Sequence, residues 1–197
     1  MKKANTLELA GDYAGALEVL LQAEPHIEAQ GEPRLRFLLL FSRAANLLRV
    51  ERIAEAQDLL PKVRKLAVEL GNQLELTRVL WLSARIGFGL GRLVEAQAAY
   101  EQVRRVFEEQ RIAYDYALAS LELSVVHLEQ GHAAAVAELA EEMWWIFEDQ
   151  GVHKDALAAL KLFCEAARKQ QADAGWVRRV FDYLYRAQNS PNLRFEP

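Results

Sequence analysis

Four histidines, His26, His127, His132 and His153, and one cysteine, Cys164, are the side chains in this chain best suited to hold a metal or attack a substrate. Their spacing argues against both. Zinc sites draw on ligands such as Cys-x-x-Cys or His-x-x-x-His, which one helical turn or one tight loop can converge, and neither pattern occurs. A single Glu-x-x-His match, Glu129 to His132, straddles Gly131, where the helix breaks. His153 stands at the far end of the helix that follows His132, about 25 Å away at the helical rise per residue. His127 shares a repeat column with Leu47 and Ala167, which marks it as a packed helix residue rather than a base. Cys164 occupies a column of small residues, where a buried thiol behaves as a small hydrophobe. The run "GFGLG" at positions 87–91 has no strand before it and no Lys-Ser or Lys-Thr after it, so it is not a phosphate loop. The expectation is a protein without catalysis, cofactor or metal.

The elements that carry these residues decide what else the chain can do. With 197 residues, 52% of them hydrophobic and only 5 prolines, the chain can build a packed core. A net charge of -4 lacks the cationic excess of a phosphate-binding surface, so no nucleic acid is expected as a direct ligand. A lone cysteine rules out an internal disulfide framework and fits a reducing compartment. The opening "MKKANTLELAGDY" meets polar residues before an apolar run can form, and no stretch reaches the roughly 20 apolar residues of a membrane span. The expected location is cytoplasmic, with no membrane partner.

The chain repeats every forty residues without insertion or deletion: Gly11, Glu51, Gly91, Gly131 and Gln171 fall in one column, and Ala16, Ala56, Ala96, Val136 and Trp176 in another. Midway lies a second set of breaks at Gly31, Gly71, Arg111 and Gly151. The segments between breaks are apolar at helical spacing; Leu93, Ala96, Tyr100, Val103 and Phe107 share one stripe. Each of about seventeen residues would form a helix about 26 Å long. Glycine at the breaks suits left-handed helix ends, which fold successive helices into antiparallel pairs. A single pair cannot bury its apolar face, so pairs in common register must stack. The pattern predicts an all-α chain, an α-α superhelix or solenoid of about five antiparallel pairs over 1–190, with a tail at 191–197. Pro25 and Pro61 inside helical patterns should kink or shorten their helices. Only Lys2 to Ala10 precede the first turn, so the first helix is either stunted or cut from a longer chain.

These columns resemble the tetratricopeptide repeat superfamily, in the forty-residue variety of many bacterial regulatory proteins. The small column Ala44, Ala84, Ser124 and Cys164 and the alanine column after each turn carry the resemblance. The family's Trp and Tyr columns are mostly replaced, by Leu40, Leu80, Ser120 and Leu160 and by Leu47, Gly87, His127 and Ala167, and its proline is absent. The resemblance implies that first helices line an inner face. The inner columns then read Phe41, Trp81, Leu121, Lys161; Leu48, Phe88, Leu128, Arg168; and Leu38, Arg78, Leu118, Ala158, with Arg85 in a fourth. Phe41, Leu48, Arg78, Trp81, Arg85, Phe88, Leu121, Lys161 and Arg168 form the candidate groove, suited to an apolar or amphipathic segment with acidic flanks. The same aromatics at helical spacing also suit a helix buried between neighbours, and the sequence leaves both readings open. The family's carboxylate clamp is not supported, because Ser42, Leu82, Glu122 and Leu162 stand in one of the columns concerned.

On the second helices one pair of columns changes character. It reads Glu24 and Pro25, Arg64 and Lys65, Arg104 and Arg105, largely as a solvated face should, then Trp144 and Trp145, then Leu184 and Tyr185. An apolar patch on a convex face marks a contact. A second copy forming a homodimer, a further domain, or the chain's own tail through Leu193 and Phe195 are the available coverings, and a rotation that buries one indole is the alternative. The expected function is a protein-protein interaction module that holds a partner protein or peptide; the alternative is a ligand- or peptide-sensing regulatory domain of a larger bacterial regulator.

Overall fold

The computed structural model describes residues 2–152, 154–188 and 193–195. Its regular elements are α1 (Lys2–Leu9), α2 (Tyr13–Gln30), α3 (Pro33–Arg49), α4 (Ile53–Leu70), α5 (Gln73–Gly89), α6 (Leu93–Glu109), α7 (Ala113–Glu129), α8 (Ala133–Asp149), α9 (Lys154–Arg168) and α10 (Ala174–Ala187). No strand occurs among the described residues. The chain is all-α, built from about five consecutive helix pairs of the α-α solenoid class.

One turn chemistry recurs. At each of Leu7–Asp12, Leu47–Arg52, Gly87–Arg92 and His127–His132, the second-named amide donates to the first-named carbonyl, at 2.9, 2.9, 2.9 and 2.8 Å. This six-to-one bond closes a helix end through a left-handed residue. The left-handed residue is glycine at six helix ends, from Gly11 (φ 81°) to Gly151 (φ 65°), of which Gly31 and Gly71 close without the six-to-one bond, whereas Glu51 (φ 61°), Arg111 (φ 55°) and Gln170 (φ 55°) adopt the same conformation with a side chain. The last turn differs from the repeat's arithmetic: its left-handed residue is Gln170 rather than Gln171, and the connector 169–173 is longer than those before it.

Pro25 and Pro61 do not shorten their helices, since α2 and α4 each run 18 residues. Both prolines are exposed, so the carbonyls they leave without a donor lie on the side that water can reach.

The chain divides into two compact units, residues 1–99 and 100–197, with the boundary inside α6. In the first, Leu17, Phe37, Ala44, Ala56, Val63 and Leu82 join α2 to α5 in one core. Ala4, Ala16, Leu20 and Leu39 tie in α1, and Asn46 Nδ2 donates to Glu8 Oε1 at 2.6 Å. Burial raises the Glu8 carboxyl above its usual range, partly offset by that bond. The small column holds as expected: Ala44, Ala84, Ser124 and Cys164 are all buried. In the second unit α8 packs on both α7 and α9, and α10 packs more extensively on α7 than on its hairpin partner α9. The long connector at 169–173 supplies the chain length for that departure.

Candidate binding surfaces

In the first unit α3 and α5 pack side by side. Positions 38, 41 and 48, like 78, 81, 85 and 88, recur on one face of their helix. Leu38, Phe41 and Leu48 on α3, and Arg78, Trp81, Arg85 and Phe88 on α5, are all half-buried. The Arg85 guanidinium carbon lies 5.1 Å from the Trp81 ring centroid, and the Phe41 ring lies 5.7 Å from that of Phe37. Arg78 Nη1 stands 3.6 Å from Oε2 of Glu75. That carboxylate is buried, and Oε2 accepts no hydrogen bond among the described residues. These side chains thus bring apolar surface and two guanidinium groups together without closing over them.

The second unit treats the matching positions differently. Leu121 and Leu118 are 0% and 2% exposed, so neither offers surface to a ligand. Most of α7 is enclosed, from Tyr116 through Leu121 without a gap, while Val125 and Leu128 are half-buried. On α9, Lys161 and Arg168 are exposed, and Arg168 Nε donates to Glu141 Oε1 at 2.8 Å. The groove residues of the first unit therefore form one patch, whereas Leu121 belongs to the core and Lys161 and Arg168 to a charged surface.

The convex columns also part company. Trp145 is 62% exposed, Trp144 is half-buried, and their rings meet edge to face at 5.0 Å. Leu184 is fully buried, and Tyr185 stacks on Phe181 at 6.4 Å. Leu184 is thereby removed from the expected patch, because α10 turns that side chain inward as it packs on α7 and α9. The tail engages α10: Tyr183 Oη donates to the Leu193 carbonyl at 3.2 Å, and the Phe195 ring lies 5.1 Å from that of Tyr183. Desolvation raises the Tyr183 phenol to about 12.

Beside Trp145 lies a cleft of about 450 Å³ lined by Glu101, Arg104, Arg105, Tyr116 and Glu142 among others. Arg104, read from sequence as a solvated side chain, organises its floor. The guanidinium donates to Ser120 Oγ at 2.7 Å, to Tyr116 Oη and to Glu142, and Tyr116 Oη donates to Glu142 at 3.1 Å. Burial raises the Tyr116 phenol to about 12, so it stays a donor. A signal for this network was present in the sequence: Arg104 to Glu142, Arg111 to Asp149 and Glu8 to Asn46 are all bonded across 38 residues, one repeat less two.

The reactive residues stay apart from both surfaces. Cys164 is buried, donates to the Ala140 carbonyl at 2.9 Å, and has its thiol pushed up to about 11 by burial. His127 is buried, its ring 5.8 Å from that of His132, and burial lowers its pKa. His153 lies outside the described residues. No group of three or more His, Cys, Asp or Glu among the described residues is placed to hold a metal, and no described helix is long and apolar enough to cross a membrane.

The architecture and these surfaces define a class, an all-α array of helical hairpins. Comparison with protein-family models, with curated proteins and with solved structures finds no match to the chain.

Proposed function

We propose that this protein is a non-catalytic binding module that holds a partner polypeptide on the inner face of α3 and α5. One observation carries the reading: Phe41, Trp81 and Phe88 remain half-exposed on adjoining helices, with Arg78 and Arg85 beside them. Aromatic and arginine side chains in a desolvated patch are the usual energetic anchors of an interface, each worth about 2 kcal/mol or more. The resemblance of the repeat columns to tetratricopeptide repeats supports the same assignment.

The test is capture of partners from lysate by the wild type, by Trp81→Glu and by Arg85→Glu. Both variants should keep their helical circular dichroism and lose the captured proteins by at least about 30-fold, the equivalent of one such anchor. A folded Trp81→Glu that retains every partner removes the proposal. If that variant unfolds, Arg85→Glu decides in its place, since reversing a half-exposed charge leaves the core intact.

A further inference from the structure

The outer cleft of the second unit carries an unsatisfied pairing of its own. Trp145 leaves most of its indole in water, which forgoes favourable burial. The described part of the tail does not take that role, because Leu193 and Phe195 make their bond and ring contact with Tyr183. Arg105, exposed in the same cleft, has no ion-pair or ring partner among the described residues. The two residues lie one repeat apart, on α6 and α8, and do not meet each other. At the corresponding positions of the first unit stand Pro25 and Lys65, which form no such pair.

A guanidinium within about 6 Å of an indole face is attracted by the ring's quadrupole, more strongly as water is excluded. A surface that bears both halves of this pair, separated, is self-complementary about a two-fold axis. Each copy can then lay its cation on the other's ring. Arg104 is already committed to Glu142, Tyr116 and Ser120, so Arg105 is the cation available for this contact. Glu108 lines the same cleft, and its negative charge would favour the approach of the incoming guanidinium. We propose that the cleft over α7 is a homodimer interface in which Arg105 of each copy stacks on the other copy's Trp145.

Sedimentation across micromolar concentrations tests this, with circular dichroism to verify folding. The wild type should self-associate reversibly. Arg105→Glu and Trp145→Glu should each weaken association by at least about tenfold, as expected when two cation–π contacts per dimer are lost. The exchange variant Arg105→Trp/Trp145→Arg rebuilds both contacts and should recover the dimer, and Val94→Glu, altering an exposed residue outside the cleft, should leave it unchanged. A wild type that stays monomeric throughout overturns the proposal. So does a dimer indifferent to Trp145→Glu, one that Trp145→Glu breaks while Arg105→Glu does not, or an exchange variant that remains monomeric.

Discussion

In residues 1–99 the first helices carry three accessible aromatic side chains, Phe41, Trp81 and Phe88, and the second helices one, Tyr13, while the cleft over α3 is lined by Glu24, Glu28, Arg36, Lys62, Lys65 and Glu69. In residues 100–197 the arrangement is reversed. The first helix α7 is mostly enclosed and α9 is charged, and the most exposed aromatic side chain is Trp145, in the equivalent cleft eighty positions on. Lys65 and Trp145 line matching places, as do Glu24 and Arg104. One repeat geometry therefore accommodates two different surfaces, and what differs is which columns are left uncovered.

The largest effect that separates the two units is in stability. Leu121→Ala removes a fully buried side chain and should cost about 2–5 kcal/mol in urea unfolding, whereas Phe41→Ala, at the same column but half-exposed, should cost clearly less. Equal costs would mean that the two faces are equally enclosed and would dissolve the contrast.

A smaller and oppositely signed pair tests the turns. Gly71 and Arg111 occupy equivalent left-handed positions, one in each unit, and a Cβ at Gly71 would meet nothing within 4 Å. Backbone strain alone then sets the outcome. Gly71→Ala should destabilise by about 1 kcal/mol, and Arg111→Gly should stabilise by up to about 1 kcal/mol, because the exposed Arg111–Asp149 pair that it gives up contributes little.

The smallest effect depends on pH. His127 stands where the first unit has Leu47 and Gly87. Burial lowers its folded pKa, reinforced by His132, with Arg104 acting in the same sense and Glu101 and Gln130 opposing. The unfolded chain therefore takes up a proton first. The contribution to stability is complete above the ordinary histidine value and falls away as the pH drops below it toward the folded pKa. His127→Leu should flatten that part of the stability profile, measured as urea midpoints between mildly acidic and neutral pH.

Much of the fold was legible in the sequence because glycine or an equivalent turn residue returns at a constant interval, and the left-handed ends at Gly11, Gly91 and Gly131 follow from it. Surfaces were less legible for a definite reason. Equal phase tells which residues share a face, not whether something lies over it. Leu121 has the phase of Trp81, but its burial depends on tertiary packing that no column contains. Leu184 likewise shares the phase of Trp144, yet α10 packs on α7 once the connector at 169–173 lengthens. Arg104 was misread because a helix viewed alone shows it on the solvent side, and its partner Glu142 belongs to the next second helix. Reading at an interval of 38 as well as forty recovers that contact, and those of Glu8 and Arg111.

The six-to-one bond that closes the turn inside each of the first four hairpins and the 38-residue spacing of cross-repeat polar bonds bear on how such a gene can grow. Each hairpin presents its successor with a similar junction, so a block of forty codons can be duplicated or excised with the neighbouring junctions left in phase. Insertion or deletion of a single codon inside a helix has no such freedom, because it rotates every later side chain by about 100° relative to the partners it must meet.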